Sequence, residues 1–189
     1  MKNSVRTAYL LTVLIVAMLP GAAYSENLIE NGDFESQGAD NRPEGWKVNK
    51  SRGTEAEVVL DKDEKRSGDR SLRISVEPPG GRVVVYLDDE LSSPLTPGVP
   101  HEATFWVKTE NIDYNQYRQA PAVRMNYRPQ RIKPGGVIDL IAKTKGVTDW
   151  IKFKIQTPPA LKNSRQIHFD ILMTSGTLWI DAIEVRAVQ

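Results

Sequence analysis

The chain has 189 residues, with 25 Lys and Arg against 24 Asp and Glu, two His, no Cys and a formal charge of +1. A total charge so near zero argues against a nucleic-acid partner. The lack of cysteine excludes a disulfide framework, a lipid-bearing N-terminal Cys and any Cys–His nucleophile, so a chain of this length must hold one core by packing.

Residues 1–25 carry the pattern of a secretory leader. Lys2 and Arg6 make a positive start, Ala8 to Leu19 is apolar, and Ala23-Tyr24-Ser25 offers small residues to a signal peptidase. The apolar stretch falls short of the ~20 residues of a spanning helix, so no membrane span is expected. Cleavage after Ser25 would leave residues 26–189 as one exported domain, extracellular or periplasmic.

From there the chain reads as strands. Apolar and polar positions alternate at 56–60, 71–76, 82–87, 103–109, 122–127, 137–142, 150–155, 166–173 and 177–185. Turn-rich stretches at 66–69, 78–81, 93–98, 128–136 and Pro158-Pro159 separate them. Many short alternating runs with Gly and Pro punctuation predict an all-β, two-sheet antiparallel sandwich. No stretch of a dozen residues carries a helical stripe. Charge is uneven along the way: 113–165 holds eleven Lys and Arg against three Asp and Glu, whereas 26–111 holds eleven against eighteen. That asymmetry hints at an anionic ligand.

Two motifs bracket this strand-rich region. Near its start stand Asn27-Leu-Ile-Glu-Asn-Gly-Asp-Phe-Glu35 and Pro43-Glu-Gly-Trp46; near its end stands Ser175-Gly-Thr-Leu-Trp-Ile-Asp-Ala-Ile-Glu-Val185. Between them, in order, lie Ser67-Gly68 with Ser71-Leu72, Leu95-Thr-Pro-Gly98 before Ala103, and Gly146 to Trp150. The ordered set resembles the jelly-roll carbohydrate-binding modules around families 4, 9 and 22, the galactose-binding-domain-like group. The resemblance implies a jelly roll, a secreted non-catalytic binder of a polysaccharide or oligosaccharide, and aromatics such as Phe34, Trp46, Trp150 and Trp179 used for packing.

The resemblance also implies one structural calcium, where the first strand, the Ser-Gly turn and the last strand meet. Calcium takes six to eight hard oxygens. Glu35 and Asp181 would serve as side-chain ligands, with main-chain oxygens from Asp33 and near Ser67 completing the shell. Where the family often places a second acid, this chain has Ala182. Without a metal, the same carboxylates are turn formers or solvent-facing charges.

Strand alternation supplies a candidate sugar face, because successive side chains point to opposite sides. If Phe105 and Val107 face the core, Trp106 and Lys108 turn outward. By the same rule Arg124 and Asn126 turn outward, as do Gln166, His168 and Asp170. An outward Trp among amide, guanidinium, imidazole and carboxylate groups suits saccharide recognition, with Arg124 the group to read an acidic glycan. Tyr86 adds a further ring, and with Tyr114, Tyr117 and Tyr127 it could form a loop-tip site instead.

An enzyme is the weaker expectation. A glycosidase needs two carboxylates about 5–10 Å apart, and Asp170 alone stands on the proposed face. A polysaccharide lyase could be imagined from His168, Tyr127, Arg124 and Gln166, but no lyase motif accompanies them. A structural or adhesion sandwich that binds protein is the other alternative. The sequence leaves the glycan, the oligomeric state and any partner enzyme open.

Overall fold

The computed structural model describes residues 26–78, 80–88, 95–115, 118–129, 136–144 and 146–188; residues 1–25, expected as a leader, Tyr117 and parts of three stretches expected as turns lie outside the described residues. Ten strands form: β1 (Trp46–Lys50), β2 (Ala56–Asp61), β3 (Ser71–Val76), β4 (Val83–Leu87), β5 (His101–Glu110), β6 (Ala122–Arg128), β7 (Gly136–Asp139), β8 (Thr148–Gln156), β9 (Gln166–Met173) and β10 (Gly176–Ala187). They pair into two five-stranded sheets, ordered β1-β4-β9-β6-β7 and β2-β3-β10-β5-β8. Every pairing is antiparallel. The fold is an all-β two-sheet sandwich, as the alternating runs predict, and a jelly roll, as the resemblance implies.

The period-2 pattern places the core between the sheets. Val83, Val85, Leu87, Val123, Met125, Phe169 and Ile171 face inward from one sheet; Leu72, Ile74, Phe105, Val107, Leu178 and Ile180 face inward from the other, all fully buried. Phe105 and Phe169 meet edge-to-face across the gap at 5.7 Å, and Trp46 packs on Phe169 at 6.2 Å. Each such side chain contributes about 1.5–3 kcal/mol on burial, which is how a cysteine-free domain holds together. The start of the described chain is tied to its end: Leu28 N donates to Val185 O, and Val185 N donates to Asn27 Oδ1, both at 2.8 Å.

Two local departures from simple alternation have clear causes. The run at 137–142, expected as one strand, ends at Asp139 and continues as a helical turn, α1 (Leu140–Thr144). Asp139 Oδ1 accepts from Ala142 N at 3.0 Å, an N-cap bond, and the fourfold spacing of Leu140 and Thr144 buries both. In β10 the register against β5 shifts between Asp181 and Glu184, with Ala182 at φ 51°. This bulge re-phases the strand, so Ile180 and Ile183 both face the core although three residues separate them.

Candidate functional site

Six of the eight sequence-derived sugar-site residues share one surface, the outer face of the sheet centred on β9. Tyr86 comes from β4, Arg124 and Asn126 from β6, and Gln166, His168 and Asp170 from β9. Register aligns Lys47, Tyr86, Asp170, Arg124 and Val137 in one row across all five strands. At ordinary interstrand spacing that row spans about 19 Å.

Asp170 organises the middle of the row. It is 3% exposed, and Arg124 contacts its Oδ1 through Nε and Nη2, both at 2.6 Å. Its other oxygen lies 3.4 Å from His168 Nε2. Arg128 Nη2 stands 3.2 Å from that same ring nitrogen. When Arg128 donates to Nε2, the imidazole is neutral and carries its proton on Nδ1. The Tyr86 ring packs beside His168 with centroids 5.8 Å apart, tilted 46°. Most polar groups of this face are thus fixed by one another. Asn126 makes no side-chain hydrogen bond among the described residues, so its amide faces solvent or ligand.

Trp106 and Lys108 do not join them. Both lie on β5, which belongs to the opposite sheet, so they point away from the other six. Alternation fixes which side of its own sheet a residue takes, but both sheets have an outer side. Nor is Trp106 an unexplained exposed ring: the Arg66 guanidinium covers it at 4.1 Å. Lys108 pairs with Glu64 at 2.6 Å and sits 5.5 Å from the Trp179 ring, whose Nε1 donates to Asp61 at 3.0 Å. That outer face is stitched by its own cation–ring and ion contacts.

The three described tyrosines of the loop-tip set do not gather there either. Tyr127 follows Val123 and Met125 on the inward side of β6 and is buried, bonded to Thr157 and, at 2.9 Å, to His101 Nδ1. Tyr114 is exposed, and Tyr86 stands on the sheet face. Tyr127 is therefore unavailable as a lyase base. The His101–Tyr127 bond links β5 of one sheet to β6 of the other, and burial holds the His101 pKa below its ordinary value. Sequence reasoning missed this tie, although His101 heads an alternating run whose phase, continued back from Ala103, already points inward.

The residues proposed for calcium converge on the turn at 66–70. Asp181 has no exposed surface; its Oδ2 accepts from Arg66 N at 2.9 Å and Ser67 N at 2.8 Å, and its Oδ1 from Ala182 N at 2.6 Å. Burial pushes its pKa up despite those bonds. Glu35 Oε1 accepts from Asp69 N at 2.9 Å and Arg70 N at 3.2 Å. Gly68, at φ +58°, leaves room for that carboxylate, since a Cβ there would lie 2.1 Å from Oε1. Asp33 is exposed. No group of three or more His, Asp or Glu that could hold a metal lies together among the described residues. The donors fit a hard cation only as two carboxylates whose shell is completed by carbonyls and water.

A scan against family models and a search of curated proteins find no match to this chain. Solved structures share its fold. The family 61 carbohydrate-binding module TmCBM61, in complex with β-1,4-galactotriose, aligns with TM-score 0.56 and 12% identity over 87% of this chain and 100% of its own. A family 16 carbohydrate-binding module aligns at 0.56 and 16%, over 86% of this chain and 100% of its own. The enzymatically active domain of tailspike protein 4 from bacteriophage CBA120 aligns at 0.60 and 14%; this chain covers 21% of it. A Stig cyclase from Fischerella sp. aligns at 0.59 and 11%, over 88% of this chain and 98% of its own. The shared scaffold therefore serves binders and enzymes alike, and the chain is similar in fold to carbohydrate-binding modules.

Proposed function

We propose that this chain is an exported carbohydrate-binding module that holds a polysaccharide across the outer face of the β9 sheet without cleaving it. The observation that carries the reading is the row centred on Asp170, where Arg124 and His168 are held in place beside the Tyr86 ring. An aromatic ring can cover the apolar C–H side of a sugar, while fixed guanidinium, amide and imidazole groups bond its hydroxyls. Groups already locked by neighbours lose little entropy on binding. The likeness to modules that bind sugars supports the same reading.

A binder fits this face better than an enzyme. Asp170 is committed to Arg124, and Tyr127 points into the core. Excess cations toward the Arg128 end favour an acidic glycan. Calcium between Glu35 and Asp181 is part of the proposal, because a buried carboxylate whose pKa burial raises gains most from a nearby cation. A glycan array on the purified protein, with and without calcium, tests it. Retention of a polysaccharide without released oligosaccharides is expected; released products would restore the lyase reading, and no retention on any glycan would favour the adhesion alternative.

A further inference from the structure

We propose that the hollow where β6 and β9 end together is a subsite for an anionic substituent of the bound glycan, a uronate carboxylate or a sulfate ester. The inference rests on the sheet-face reading above and adds what the face selects.

The hollow follows from strand pairing. Arg128 and Gln166 form the last rung between β6 and β9, and one residue further Arg165 N donates to Arg128 O at 2.8 Å. That bond holds two consecutive positions of the ladder's end side by side. The resulting space, about 360 Å³, is lined by Arg128, Pro129, Arg165 and Gln166. Two guanidinium groups and an amide line it, and no carboxylate does among the described residues.

The state of the cations singles this place out. Arg124 is neutralised by Asp170, and Lys47 by Asp88 at 2.7 Å. On the opposite face Lys108 is paired with Glu64 and Lys154 with Glu102, both at 2.6 Å. Arg165, in contrast, is exposed and makes no ion pair among the described residues. The nearest acid described along β9 is Asp170, reached only through His168. Two cations of the basic stretch 113–165, Arg128 and Arg165, thus stand where β6 and β9 end, four rungs along the strands from Arg124 and Asp170. A guanidinium fork matches a planar carboxylate or two oxygens of a sulfate, and such charge-assisted bonds are roughly twice as strong as neutral ones. A neutral sugar here would leave the Arg165 guanidinium to water and gain little.

The test uses two matched probe pairs: polygalacturonate against its methyl ester, and a sulfated galactan against its desulfated form. Affinity electrophoresis of the purified protein reads binding to all four. The charged member of one pair is expected to bind at least tenfold tighter, which also separates uronate from sulfate. Arg165→Gln keeps a polar side chain but removes the charge; it should erase that preference and leave neutral-probe binding unchanged. Lys152→Gln removes one exposed charge from the opposite face and should leave the preference intact. Equal binding of charged and neutral members by the unaltered protein would overturn the subsite alone. So would a preference that survives Arg165→Gln, or one that Lys152→Gln erases equally. Binding to none of the four would overturn the subsite, while the sheet-face reading would still stand or fall with the glycan array.

Discussion

Replacing Arg124 by Met strips Asp170 of its main partner and measures how firmly the face is pre-set. The Asp170 side chain is 5% exposed and that of Arg124 30%. Breaking a fully buried pair costs about 3–5 kcal/mol, because the remaining charge is left uncompensated. Here the guanidinium is partly hydrated, so water already reaches the pair. We therefore expect a smaller loss, about 2 kcal/mol for Arg124→Met. Removing both charges, as Arg124→Met with Asp170→Leu, leaves no stranded carboxylate and sets Leu beside Leu172 and Met beside Val137; the double variant should lie within about 1 kcal/mol of the unaltered protein. Urea unfolding at pH 7 gives these values by linear extrapolation. In heat, the single variant should melt about 4–8 °C lower at this chain length. A loss under about 0.5 kcal/mol, or a double variant as unstable as the summed singles, would show that water already screens the pair and that the face is not pre-set.

Two other outcomes are expected. If Glu35 and Asp181 hold calcium, chelator should lower the melting temperature and excess calcium restore it, since a ligand of the native state stabilises by mass action; Asp181→Ala should melt identically in both buffers, and equal melting of the unaltered protein in both would leave the carboxylates as turn formers. Burial lowers the folded-state pKa of His101, so below about pH 6.5 the unfolded chain takes up a proton that the folded chain resists, and stability falls as pH drops through that window; melts from pH 7.5 to 5 should show the fall, His101→Gln should flatten it, and an unchanged slope in that variant would place the acid sensitivity elsewhere.

The strands were legible because each alternating run buries every second residue. The runs at 71–76 and 166–173 match β3 and β9 end to end. Less legible was anything set by long-range pairing. Trp106, Arg124 and His168 all alternate outward, yet β5 lies in one sheet and β6 and β9 in the other. No local period encodes that partition; it follows from which strands pair across the chain. The bulge at Asp181 was half visible, since Ile180 and Ile183 break a period of two. β1 went unassigned because its five residues begin at the core Trp46 and run out to exposed positions at a sheet edge. The turn around Glu35 and Asp181 was legible as a meeting of carboxylates, but the N–H groups of 66–70 that satisfy them were not.

The central claim is that glycan lies on the β9-sheet face and not on the β5 face. Isothermal titration of one array-positive oligosaccharide into Tyr86→Ala and Trp106→Ala separates the two most directly. Losing the Tyr86 ring should weaken binding at least tenfold, about 1.4 kcal/mol, while losing Trp106, already covered by Arg66, should leave affinity unchanged. The opposite result, tight binding without Tyr86 and weak binding without Trp106, would contradict the account and move the site to the other sheet.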